Sequence, residues 1–168
     1  MVTAWWSPQL NALLGSLVVA AGADNHVELT EDIWFERFPA RLKDKAPRVW
    51  DNNGVPGIGL GGQSFLPDAY NEVLVHFSSL PGGQSGNMEA RMRDMADDGI
   101  DKELAFPNAV LALLGYPDLE VRELCFRIYN QYIAELQERY RGRFYGVGLI
   151  NWWDPKGARE TLAELKAL

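Results

Sequence analysis

The sequence predicts an α/β chain built on parallel strands, and three observations carry that expectation. Apolar runs of strand length fall at 17–23, 100–106 and 143–150. Segments 87–98, 118–142 and 156–167 instead show apolar residues at helical spacing, flanked by residues suited to starting and stopping a helix. The two kinds alternate, and parallel strands need crossover connections between them, which are almost always right-handed. At 168 residues, the chain has the size of a single domain with one core.

Residues 1–16 read as an N-terminal extension. The apolar stretch from Leu10 to Ala23 has the length of a signal-peptide core, but no Lys or Arg precedes it, so export is not the expected fate. It is also too short to span a bilayer, and Asp24 closes it. The β-branched part of the run reads as the first strand. It stops at Asp24-Asn25-His26-Val27-Glu28, which puts metal-ligand residue types at the strand's C-terminal tip. Residues 31–86, punctuated by glycine and proline, then read as a loop-rich insertion.

Met88, Met92 and Met95 recur at helical spacing, with Gly99 as a stop, so Asn87 to Asp98 is an expected helix whose methionines face the core. Ile100 to Phe106 follows as a strand ended by Pro107. Val121, Leu124, Cys125, Ile128, Tyr132 and Leu136 form one apolar stripe, opened by Asp118 and Glu120 and closed by Arg139, Arg141 and Gly142. Arg143 to Ile150 reads as the third strand. Asp154-Pro155 is an N-cap and first-turn pair for a last helix, Lys156 to Ala167.

The composition is 47% hydrophobic and 23% charged, with a net charge of −7. An acidic chain is poorly matched to polyanions, since phosphate binding rests on Lys and Arg, so neither nucleic acid nor an anionic membrane is an expected partner. The single cysteine, Cys125, rules out a disulfide within the chain, sits on a helix's apolar face as a small buried hydrophobe, and fits a reducing, cytoplasmic compartment.

In parallel α/β sheets, sites gather at the carboxyl ends of the strands. Three polar clusters are expected there: Asp24-Asn25-His26, Asn108, and Asn151-Trp152-Trp153. Glu28 is a candidate for polarity around such a site, and Trp152 and Trp153 either line a substrate pocket or plug its mouth. Glu31 and Asp32 suit the first turn of a helix better than acid-base work. His76 reads as a loop or packing histidine. Gly57, Gly59 and Gly62 match GxGxxG but lack the strand-to-helix setting that a dinucleotide site needs.

Three blocks in order carry a resemblance. The first is Asp24-Asn25-His26-Val27-Glu28 with Asp32-Ile33-Trp34 and the stretch from Arg37 to Val49. The second is Arg91 to Asp101, leading into Leu104-Ala105-Phe106-Pro107-Asn108. The third is Tyr129-Asn130, Gly142-Arg143-Phe144 and Asp154-Pro155. Together they resemble the amidohydrolase-related (amidohydrolase 2) family, which includes decarboxylases of the aminocarboxymuconate-semialdehyde type.

The resemblance implies a metal-dependent (β/α)8 barrel that performs hydrolysis or nonoxidative decarboxylation with one divalent ion. It carries the first strand's two ligands onto Asp24 and His26, a pair two residues apart whose side chains alternation would place on one face. Zn²⁺ is the first expectation for such a nitrogen and oxygen site, and Mn²⁺ the alternative.

A complete barrel of this kind uses about 250 residues. The expectation is therefore a partial TIM-like barrel of about three β/α units, the N-terminal portion of the family's fold. Such a chain is a piece of a longer polypeptide, a truncated homologue, or a subunit completed by another chain or by a homo-oligomer. The expected function is that of a hydrolase or carboxy-lyase acting on a small carboxylated or amide substrate, with a noncatalytic interaction or assembly module as the alternative.

Overall fold

A computed structural model of the protein describes residues 21–27, 29, 31–52, 55–60, 63–64, 87–107, 110 and 116–168. The expected N-terminal extension, Glu28, His76, Gly62 and Asn108 lie outside the described residues.

Among the described residues, three parallel strands organise the fold: β1 (Ala21–Val27), β5 (Lys102–Pro107) and β6 (Phe144–Gly146), with β5 in the middle. The connections contain α1 (Glu31–Arg37), α2 (Met88–Asp97) and α3 (Leu119–Arg139), and α4 (Pro155–Ala167) follows the last strand. The expected mixed α/β order with a parallel sheet is thus present.

Local chemistry explains where the helices begin. Asn87 Oδ1 accepts from the Ala90 N–H at 3.0 Å, Asp118 Oδ1 from Val121 at 3.2 Å, and Asp154 Oδ1 from Lys156 at 3.1 Å. Each satisfies an N–H that the first helical turn leaves without a partner. Gly99 and Gly142, with φ of +71° and +83°, turn the chain after α2 and α3 in a conformation that side-chain-bearing residues resist.

Asp118 also receives the Lys45 ammonium at 2.5 Å, and this bond, aided by the Val121 N–H, holds its carboxyl below the usual carboxylate range. A depressed folded-state pKa contributes stability above the unfolded value, and that contribution is lost as pH falls through the folded value. Asp118→Ala is expected to lower the melting temperature by about 3 °C at neutral pH. Melts repeated from pH 7 downward should show the gap from wild type closing as the carboxyl takes up its proton.

The helix layer covers one face of the parallel sheet. Along β5, Glu103, Ala105 and Pro107 are buried while Lys102 and Leu104 are exposed. Ala105 and Phe144 join a core with Val27 and the α3 residues Val121, Cys125, Phe126, Ile128, Tyr129, Tyr132, Ile133 and Leu136. The buried stripe of α3 is wider than the expected one, because Phe126, Tyr129 and Ile133 also face inward. Burial of so many large side chains, at about 1.5–3 kcal/mol each, outweighs intrinsic propensity in holding α3.

Among the described residues the opposite face is open, with Leu104 38% and Tyr145 39% exposed.

The segment expected to be a loop-rich insertion is more structured than its glycine and proline content suggests. Besides α1 it holds a 3₁₀ helix (Ala40–Lys45) and a separate antiparallel sheet of β2 (Arg48–Asn52), β3 (Val55–Leu60) and β4 (Gln63–Ser64). Trp34, Phe38, Leu42 and Ala46 belong to the main core, so the first part of this stretch is not a mere loop-rich excursion. Arg37 grips Glu135 with two bonds of 2.9 and 2.6 Å, Arg41 pairs with Glu120, and Lys45 with Asp118, so this segment runs along α3.

The third strand is shorter than expected, ending at Gly146 and not at Ile150. Val147 N–H still bonds to the Ala105 carbonyl at 2.9 Å, but the next buried backbone groups find a side chain in place of a strand. Asn130 Oδ1 accepts from the Leu149 N–H at 2.7 Å and Asn130 Nδ2 donates to the Leu149 carbonyl at 2.8 Å, which diverts the chain from the sheet edge.

Candidate functional site

Asp24, Asn25 and His26 lie within β1 and not beyond its tip, because the strand runs on to Val27. The pairing of β1 with β5 is also irregular. Gly22 pairs with Glu103 and Asn25 with Ala105, so two residues, Ala23 and Asp24, stand against Leu104 alone. This is a β-bulge, a feature that re-aims side chains and recurs beside active sites. Asp24 sits in the bulge and its side chain lies outside the described structure, so simple alternation does not relate it to His26.

Past the bulge the register is regular: Asn25 faces the same way as Ala105, and His26 the same way as Phe106. His26 is therefore on the open face with Leu104 and Tyr145, and it is exposed. Asn25 points into the helix layer, where its Nδ2 donates to Glu103 Oε2 at 3.0 Å.

Glu103 is the buried charge that the sequence reading missed. Only 1% of its side chain is exposed, and Arg91 Nε donates to its two oxygens at 2.7 and 2.9 Å. The same guanidinium reaches the His26 carbonyl through Nη1 at 2.7 Å. The available signal was a carboxylate standing among the apolar residues of a strand, where a charge survives only with a partner.

The donor set at β1 suits a divalent ion in kind. An imidazole and a carboxylate, both from one strand, match Zn²⁺ or Mn²⁺. It is short in number, since no group of three or more His, Cys, Asp or Glu able to hold a metal ion forms among the described residues. Of the two candidate ligands, His26 alone has a described side chain, so the described residues supply one donor of the several that such a site needs.

The tryptophans after β6 pack in the helix layer. Trp153 meets Phe126 edge-on at 5.4 Å, carries the Arg122 guanidinium over its ring at 4.2 Å, and donates from Nε1 to Glu123 Oε1 at 3.4 Å. Trp152 leans on Trp153 at 5.4 Å and is 56% exposed. Asn151, their neighbour, accepts from Thr161 Oγ1 at 3.0 Å. The contacts described for Trp153 are with α3 and Trp152, so the structure does not gather the tryptophans with His26.

A cavity of about 420 Å³ lies between α3 and α4, lined by Phe126, Asn130, Asn151, Thr161 and Leu165 among others. It belongs to the helix layer, not to the face that carries His26. Cys125 is fully buried, and desolvation pushes its thiol far above the ordinary range, leaving it without nucleophilic character. Gly57 and Gly59 lie in β3 of the antiparallel sheet, away from any strand-to-helix turn. Among the described residues, no helix is long and apolar enough to cross a membrane.

Among solved structures, the chain is similar to an amidohydrolase from Mycobacterium avium subsp. paratuberculosis K-10, with a TM-score of 0.60 and 16% sequence identity. The fold is amidohydrolase-like. The match covers 89% of this chain but 47% of that protein, so this chain spans about half the length of the structure it resembles. No protein-family model matches the sequence, and no curated protein matches it significantly.

Proposed function

We propose that this chain forms the metal-binding first part of an amidohydrolase-type (β/α)8 barrel. Its activity is hydrolysis or nonoxidative decarboxylation of a small carboxylated or amide substrate. The observation that carries this reading is His26 standing on the open face of the parallel β1, β5 and β6 sheet, the face that a closed barrel turns inward.

Asp24 and His26 are the ligands this chain contributes. The remaining ligands and the general base come from strands beyond these three, whether in the same polypeptide or in a partner subunit. A divalent ion, if held there, would supply Lewis-acid activation of water or of a substrate carboxylate. The chain's own part is to bring His26 to that space and to provide, in Leu104, Phe106 and Tyr145, an apolar floor beside it.

Metal content of the size-exclusion-purified protein, measured by plasma mass spectrometry together with oligomeric mass, tests the reading. Stoichiometric Zn²⁺ or Mn²⁺ that falls at least about tenfold in His26→Ala is the expected result. A folded protein holding no metal would leave an assembly module, docking through the open sheet face, as the function of this chain.

A further inference from the structure

We infer that Arg91 and Glu103 are positioning residues: together with Asn25 they fix the bulged register of β1, and that register sends His26 to the open face. The link to metal binding rests on the function proposed above; the fixing of the register does not.

The argument begins with the pairing. Were the ladder to continue without a bulge from Gly22 opposite Glu103, Asn25 would face Phe106 and His26 would face Pro107. Pro107 lies on the buried side of β5, so the imidazole would enter the helix layer. A slip of one residue turns every following side chain to the other face. The extra residue at Ala23-Asp24 therefore decides on which side His26 emerges.

Three contacts favour the bulged alternative: two meet at one buried carboxylate, and the third runs from the Arg91 guanidinium to the His26 carbonyl. Asn25 Nδ2 reaches Glu103 Oε2 at 3.0 Å only while Asn25 is on the helix side. Arg91 Nε holds the same carboxylate at 2.7 and 2.9 Å, while its Nη1 holds the His26 carbonyl at 2.7 Å. One guanidinium on α2 thus binds β5 through a side chain and β1 through the backbone of the candidate ligand itself. Its planar fork can do both at once, which a lysine ammonium could not reproduce.

Gly22 completes the arrangement. A Cβ there would lie 2.9 Å from Asn25 Nδ2, so the absence of a side chain leaves room for the amide beside Glu103. A buried carboxylate this well enclosed strongly disfavours any register that takes its donors away.

The test uses a double variant, Arg91→Leu with Glu103→Leu. Removing both charges together spares the fold the cost of leaving one of them buried and unpaired. Amide exchange at Asn25–Val27 and the imidazole resonances of His26, assigned with a His76→Gln control, report the register without any metal. Zn²⁺ titration reports the site.

The expected result is a variant that melts cooperatively, exchanges the amides of residues 25–27 at least about tenfold faster relative to those of α3, and shows shifted or doubled His26 signals. Unchanged exchange and unchanged His26 signals in the folded double variant would overturn the inference. If the double variant does not fold, Glu103→Gln read on the same amides decides between the same two outcomes. Wild-type protein that takes up no Zn²⁺ while exchange accelerates in the variant would sink the metal reading and keep the register role. Zn²⁺ uptake with no acceleration would do the reverse.

Discussion

Gly146→Ala is expected to destabilise the protein by about 3 kcal/mol, the upper range for forcing a methyl group into a packed interior. A Cβ at this position of β6 would lie 1.7 Å from Ile133 Cγ2 and 3.1 Å from Ile133 Cβ. Ile133 is 4% exposed on α3, and a β-branched side chain in a helix has essentially one favoured χ1, so it cannot swing clear. The strand or the helix must move instead, although this contact sets their separation. Urea unfolding of Gly146→Ala, Ile133→Ala and the double variant checks the point. The two substitutions should be less than additive by about 1–3 kcal/mol, because the second removes the atom that the first one strikes. Additive losses would show that the close approach of β6 and α3 is not what Gly146 provides.

Asn130→Ala is expected to cost a similar amount, about 2–4 kcal/mol, by another route. The buried amide satisfies both the N–H and the carbonyl of Leu149, and alanine leaves the two without their partner in an interior where each such group costs about 1–3 kcal/mol. Some water entry would reduce the loss. Asn130→Asp should be worse than alanine, because it sets an acceptor against the Leu149 carbonyl and buries a charge. Both variants should also loosen the chain toward Trp153, read as faster amide exchange at 147–153 with α2 unaffected. Stability equal to wild type in Asn130→Ala would show that the bidentate contact contributes nothing to the fold.

These two positions illustrate which parts of the fold were legible. The helices α2, α3 and α4 were, almost to the residue, because their signals are local: Asn87, Asp118 and Asp154 cap the turns that follow them, and Gly99 and Gly142 supply the positive φ after α2 and α3. The parallel order followed from alternating strand and helix patterns, and the face of α3 from its apolar stripe. The insertion was less legible. Glycines and prolines at 54–62 mask a hairpin in which Asn52 pairs with Val55, although Asn53-Gly54 is a turn signal in its own right.

The candidate site divides in the same way. That a carboxylate and an imidazole stand near the end of a first strand is written in consecutive residues, Asp24 to His26. That the strand carries a bulge there is not, because the residues fixing it come from elsewhere: Glu103 lies 78 positions beyond Asn25, and Arg91 65 beyond His26. A period-two pattern shows that side chains alternate but not where the count slips, and the slip depends on what the neighbouring strand and helix offer. Likewise, Asn130 reads as a lone polar residue on a helix until Leu149, 19 positions on, arrives beside it. Local sequence settled the kinds and order of the elements and the residue types at the rim, since caps, turns and periodicity act over a few bonds. The face on which His26 emerges, the end of β6 and the burial of Glu103 were left to contacts between distant residues, which exist only once the chain has packed.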